Sequence, residues 1–126
     1  MTMRRTSVLV VEDEVLIGRL VAEVLTENGF AVHAVEDGEA ALRYLESGAD
    51  IDVLFTDINL AGDIDGSVLA KRVRAQRPEL PVVYCSGRYT PADLAPPVPR
   101  SIFLAKPYDP TDLCRLLMRL TAGTAH

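Results

Sequence analysis

Short apolar runs alternate with amphipathic stretches along the chain. Five runs, at 7–11, 30–35, 51–56, 81–86 and 101–105, are rich in β-branched residues, and most are apolar on consecutive positions. That is the pattern of strands covered on both faces. Between the runs the period becomes helical. Leu16, Ile17, Leu20, Val21, Val24 and Leu25 share one predicted helical face, which Asn28-Gly29 closes. Asp37 is placed as an N-cap, with Ala41, Tyr44 and Leu45 turned inward and Gly48 ending that helix. A third helix is predicted over about 67–76, stopping before Pro78. The last starts at Asp109, carries Pro110 in its first turn, and aligns Leu113, Leu116, Leu117 and Leu120.

The stretch between Ser86 and Ser101 breaks this alternation. Pro91, Pro96, Pro97 and Pro99 crowd it. Proline costs ~3 kcal/mol inside a helix, so the fourth helix of the pattern is expected to be short or irregular, near 91–94. Strand–helix alternation predicts an α/β fold, a doubly wound five-stranded parallel sheet with helices on both faces. One domain is expected over 1–126, with its core at about 6–121 and loose ends outside it. Ligands of such sheets bind at the carboxyl ends of the strands, so those ends are where chemistry is sought.

Composition narrows the field. Apolar residues at 48% and charged residues at 25% exclude a disordered chain. Thirteen basic against eighteen acidic residues leave a net charge of −5, which argues against nucleic acid as a partner. No apolar run approaches the ~20 residues of a membrane span, and no membrane partner is expected. Arg4-Arg5 precedes an apolar run too short for a signal peptide, followed at once by Glu12-Asp13-Glu14. Cys85 and Cys114 then read as small buried hydrophobes, reduced thiols in a cytoplasmic protein. His33 and His126 lack a ligand cluster. Arg72, Arg74 and Arg77 are read as a solvated helix face, and Asp63 and Asp65 as a solvated loop.

The strand ends carry the candidate chemistry. The first run ends in Glu12-Asp13, the third at Asp57, the fourth in Ser86 and the fifth in Lys106-Pro107. Strands adjacent in the sheet would gather three carboxylates, a hydroxyl and an ammonium. Carboxylates ~5 Å apart repel by ~3 kcal/mol per pair at an effective dielectric of ~20. A cation or a raised pKa must offset that. A hard divalent ion with oxygen ligands suits the set; Mg2+ is expected, and Mn2+ would also fit. Lys106 is one of two lysines among the thirteen basic residues, and its compact charge suits one phosphoryl oxygen. Ser86 adds a hydroxyl donor. Phosphoryl transfer to a carboxylate needs mainly positioning and charge neutralisation, and these groups offer both.

Glu12-Asp13, Asp57, Ser86 and Lys106-Pro107 at this spacing resemble the receiver domain of two-component response regulators, over roughly residues 6–121. The resemblance implies the flavodoxin-like strand order 2-1-3-4-5. It implies that Asp57 is the phosphoacceptor, attacking the phosphohistidine of a histidine kinase or a histidine phosphotransfer protein. Glu12, through water, Asp13, Asp57 and the backbone carbonyl of Asn59 would hold Mg2+. Ser86 and Lys106 would bind the aspartyl phosphate. Phe103 occupies the position of the switch aromatic beside Ser86, and the Lys106–Pro107 peptide would be cis. On phosphorylation Ser86 and Lys106 would close on the new charge, and the surface of the fifth strand and last helix, with the proline-rich segment, would bind a downstream protein differently.

The chain departs from the family pattern in three places. Ala61 stands where the family has proline, and Gly66 lies nine residues after Asp57 rather than eight, so the loop is one residue longer. Tyr84-Cys85-Ser86-Gly87-Arg88-Tyr89 is similar to a subset of stand-alone bacterial receivers. Phe103 lacks the hydroxyl of the more familiar tyrosine.

The reading is a single-domain response regulator of a phosphorelay, monomeric or weakly dimeric. It is not an enzyme beyond its own phosphorylation and dephosphorylation. The residues after 121 leave no room for an output domain, although the chain also fits one module of a longer hybrid kinase or regulator. The rivals are a pseudo-receiver that never carries phosphate and a small phosphatase of the haloacid-dehalogenase type. The phosphatase normally ends its first strand in Asp-x-Asp, where this chain has Glu12-Asp13-Glu14. A flavin site is weaker still, because no glycine-rich phosphate loop follows the first run.

Overall fold

A computed structural model of the chain describes residues 5–87 and 98–122. The elements run β1 (Ser7–Val11), α1 (Val15–Glu27), β2 (Ala31–Val35), α2 (Gly38–Glu46), β3 (Val53–Asp57), α3 (Gly66–Gln76), β4 (Val82–Ser86), β5 (Ser101–Ala105) and α4 (Pro110–Thr121). The five strands pair in parallel in the order β2-β1-β3-β4-β5, as expected. The expected short or irregular helix near 91–94 lies outside the described residues.

Period-two alternation splits the core into two layers. Leu9, Val11, Leu54, Val82 and Tyr84 face α2 and α3, where Ala41, Leu69, Ala70 and Val73 cover them. Val8, Val10, Val53, Phe55, Val83 and Cys85 face the other way, under Val21 and Leu25 of α1 and Leu113, Cys114 and Leu117 of α4. β1, β3 and β4 are buried along nearly their whole length because both faces are covered, while the edge strands β2 and β5 are only half-buried.

The helix boundaries have local causes. Asp37 accepts the Ala40 N–H, Asp65 the Val68 N–H and Asp109 the Thr111 N–H, each relieving a donor at a helix start. Asp65, read from sequence as a solvated loop acid, is therefore the cap of α3.

Two further expectations are corrected. Leu16 and Leu20 do not belong to the buried face of α1; they are 78% and 53% exposed. Gly18, Val21 and Leu25 face the sheet instead, with Ile17 and Val24 at the margin. At about 100° per residue Leu16 stands about 140° from Val21, beyond the stripe a single contact can cover. The arginines of α3 are not simply solvated. Arg74 Nε donates to the Leu80 carbonyl and its Nη2 to that of Arg100, and Arg77 donates to that of Ala49. Only Arg72 is exposed as expected. The long arginine stems let the guanidinium groups reach carbonyls at the amino ends of the strands.

Candidate functional site

The carboxyl ends of β1, β3, β4 and β5 meet at one rim. Asp57 closes β3, and Glu12 and Asp13 follow β1, its in-register neighbour. Carboxylate oxygens of Glu12, Asp13 and Asp57 lie within 4.8 Å of one another. Glu12 and Asp57 are buried, and Asp13 is exposed. Lys106, just past β5, bridges the two buried acids: its Nζ donates to Asp57 Oδ2 at 2.9 Å and to Glu12 Oε1 at 3.2 Å. Glu12 Oε2 accepts the Glu14 N–H at 3.0 Å, and Asp57 Oδ1 accepts the Asn59 N–H at 3.3 Å.

One ammonium thus stands beside three clustered carboxylates and bonds two of them. Burial pushes the Glu12 carboxyl above its ordinary range, and the Asp57 charge adds to this, while the Glu14 N–H and Lys106 oppose it. Burial alone would lower Lys106. The hydrogen bond and charge of Asp57, together with Glu12, outweigh that and hold the ammonium above its ordinary range. Lys106 therefore stays charged. The excess of negative oxygens, hard donors with one solvent-facing member, fits a divalent cation such as Mg2+.

Ser86 is buried at the end of β4, and its carbonyl accepts the Lys106 N–H at 3.0 Å. Phe103 lies half-buried on β5, opposite Tyr84 of β4, in the layer that faces α2 and α3. The Lys106–Pro107 peptide is cis. The structure thus brings Glu12, Asp13, Asp57, Asn59 and Lys106 together, with Ser86 on the adjoining strand end and Phe103 three residues before Lys106 on β5.

The loop after β3 is set by two close approaches. A Cβ on Gly66 would stand 2.1 Å from the Asp57 carbonyl oxygen and 2.8 Å from Ile58 Cα. The Gly66 N–H donates to the Ile58 carbonyl at 2.8 Å. Glycine is required there because α3 starts against the acceptor's own backbone. Gly62, at φ +93°, takes the turn of the longer loop, and Ile64 is buried against Gly38 at the start of α2.

Sequence reasoning gave no role to the hydroxyls of Tyr84 and Tyr108. The Tyr84 hydroxyl accepts the Val98 N–H at 3.3 Å. Tyr108 rests edge-on against Phe55, with ring centroids 5.7 Å apart. The Tyr-Cys-Ser stretch and the tyrosine after Lys106-Pro107 were visible signals, but a tyrosine's apolar ring hides its polar end in a hydropathy pattern. Cys85 is buried beside the site, and burial pushes its thiol up to about 12 despite Lys106, so it is unreactive. His33 is exposed and stacks on Tyr44 at 3.7 Å.

Comparison with known proteins places this geometry in company. The family model described as the response regulator receiver domain matches residues 8–118. The transcriptional regulatory protein CreB of Escherichia coli K12 is 33% identical over 122 residues, covering 93% of this chain and 52% of CreB. The chain therefore spans about half of that protein's length. The crystal structure of a response regulator receiver protein from Sinorhizobium medicae is 33% identical, with a TM-score of 0.88 over 97% of this chain and 98% of that one. The chemotaxis response regulator CheY4 of Vibrio cholerae is 28% identical, with a TM-score of 0.82 over 93% of this chain and 99% of that one.

Proposed function

The chain belongs to the response regulator receiver domains, and from that premise we propose that it accepts a phosphoryl group on Asp57 from a histidine kinase or a histidine phosphotransfer protein and signals by changed protein contact. Receiver domains are signalling domains rather than classical enzymes, and they bind Mg2+ at an acidic pocket. The observation that carries the reading is the buried Asp57 carboxylate held between Lys106 and the acids that follow β1.

In the proposed transfer an Asp57 carboxylate oxygen forms the bond to phosphorus as the P–N bond of the donor's phosphohistidine breaks. The electron pair of that bond returns to the imidazole nitrogen. Lys106 turns from Asp57 Oδ2 to a phosphoryl oxygen, and Ser86 donates to another. Asp13, Asp57, the Asn59 carbonyl and, through water, Glu12 would hold Mg2+, which supplies charge neutralisation for the transferring group. Phe103 is proposed to move with Ser86, altering the surface around β5 and α4 that a downstream partner reads.

The donor's approach is supported by the apolar rim next to the acids. Val15, Leu16 and Leu20 are exposed there. Beside them a groove of about 460 Å³ is lined by Ile17, Leu20, Val21, Pro107 and Lys106 itself. A helical donor surface seated on this rim would bring its phosphohistidine to Lys106 and Asp57. We also propose that the chain acts as a single receiver module in the cytoplasm, where the two-component kinases and phosphotransfer proteins of the proposed reaction would present their phosphohistidine. No described helix is long and apolar enough to cross a membrane.

The test is incubation with Mg2+ and acetyl phosphate, then with a panel of phosphorylated kinases, followed by intact mass. The wild type is expected to gain one phosphoryl group and Asp57→Ala none. A labelled Asp57→Ala protein would overturn the site. A wild type that stays unlabelled under every donor would leave the pseudo-receiver reading in its place.

A further inference from the structure

Among the described residues, Tyr108 Oη is the one buried side-chain polar atom without a hydrogen-bond partner. Phenylalanine would supply the same ring contact to Phe55 without that penalty, so the hydroxyl weakens the resting fold. Its place is particular. Tyr108 follows Lys106 by two residues, and its ring lies against Phe55, which shares a face of β3 with Asp57 and stands in register with Val10, two residues before Glu12 on the same face of β1. Burial raises the phenol above its ordinary range, and the nearby Cys85, Glu12 and Asp57 add to this against Lys106. The hydroxyl therefore keeps its proton and remains a donor.

The site contains the complementary deficit. Glu12 Oε1 has Lys106 as its side-chain donor, while Oε2 is held by the Glu14 N–H. When Lys106 turns to a phosphoryl group on Asp57, Glu12 Oε1 is left buried without that donor. Of the other groups near the phenol, Lys106 offers no acceptor, Cys85 is a weak one, and Asp57 is the carboxylate that takes the phosphoryl group. We propose that Tyr108 is a positioning residue, whose hydroxyl takes up Glu12 as Lys106 leaves it. An idle donor in the resting protein becomes a satisfied one in the phosphorylated protein, which biases the domain toward the loaded state. The inference rests on the phosphoacceptor reading above.

The experiment compares wild type, Tyr108→Phe, Glu12→Ala and the double variant, each with and without Mg2+ and beryllium fluoride, a tetrahedral stand-in for the phosphoryl group. Thermal unfolding and beryllium fluoride titration are read. Without additions Tyr108→Phe is expected to melt at or above the wild-type temperature. With them its stabilisation is expected to be smaller and its affinity for beryllium fluoride roughly tenfold lower, the worth of one hydrogen bond to a charged group. In the Glu12→Ala background the second substitution is expected to change nothing further. A merely structural tyrosine would shift both states alike. Equal loaded affinity, equal destabilisation in both states, or a loss that persists without Glu12 would overturn the assignment. A wild type that does not respond to beryllium fluoride at all would instead count against the phosphoacceptor reading.

Discussion

Replacing Gly66 by alanine tests whether the acceptor is held by backbone crowding. The added methyl would sit 2.1 Å from the Asp57 carbonyl oxygen and 2.9 Å from its carbon. An ordinary carbon–oxygen contact is ~3.3 Å, so the start of α3 and the end of β3 must separate by roughly 1 Å. Overpacking of this kind costs ~1–3 kcal/mol, and stretching the bond from the Gly66 N–H to the Ile58 carbonyl adds about 1 kcal/mol. A total near 3 kcal/mol lowers the melting temperature of a domain this size by roughly 10 °C. The same displacement moves Asp57 and Asn59 away from Lys106, and a misplacement of ~1 Å costs about a hundredfold in a positioned reaction. The assays are thermal unfolding and the initial rate of labelling by acetyl phosphate. Gly18→Ala is the internal control. Its methyl would meet Glu12 Cβ at 3.7 Å, an ordinary contact between α1 and the end of β1. Alanine in a helix interior should stabilise by ~0.5–1 kcal/mol, so the two substitutions are expected to have opposite signs. A Gly66→Ala protein with unchanged melting and labelling would refute the argument.

Two other expectations follow from the site and its surroundings. Burial and Asp57 make folded Glu12 hold its proton more tightly than the unfolded chain does, so without a divalent ion stability is fully present below about pH 4.5 and declines as pH rises through the raised value. Urea midpoints across that range should show the decline, and Glu12→Gln or added Mg2+ should flatten it. Tyr84→Phe leaves the buried Val98 N–H without its acceptor, at a cost of ~1–3 kcal/mol; faster hydrogen exchange at Val98 is expected, with labelling of Asp57 unchanged.

Much of this was legible from the chain. The runs ending at Glu12, Asp57 and Ser86 were readable as strands because central parallel strands are apolar without interruption, and the polar residue that stops each run marks the rim; the edge run before Lys106 was readable from its apolar Ile102-Phe103-Leu104. The carboxyl-end rule then gathered those residues before any coordinates did. What escaped was decided by distance rather than by residue type. Leu16 and Leu20 satisfy the helical pattern yet face outward, because the stripe of α1 that meets the sheet runs through Gly18, Val21 and Leu25. Arg74 and Arg77 look like any exposed basic residues until the carbonyls of Leu80, Arg100 and Ala49 come within reach. Tyr108 reads as one more core aromatic, and its unmatched hydroxyl is a property of the packed interior alone.

The guanidinium groups at the amino ends of the strands have a mechanical meaning. Arg74 and Arg77 fasten α3 to the segments entering β4, β5 and the α2–β3 turn, and Arg100 adds its contacts with Glu79 and the Pro78 carbonyl. A sheet riveted along one margin behaves as a cantilever. A charge added at the opposite margin, where among the described residues Lys106 alone joins Glu12 and Asp57, is therefore expected to shift that margin more than the fastened one.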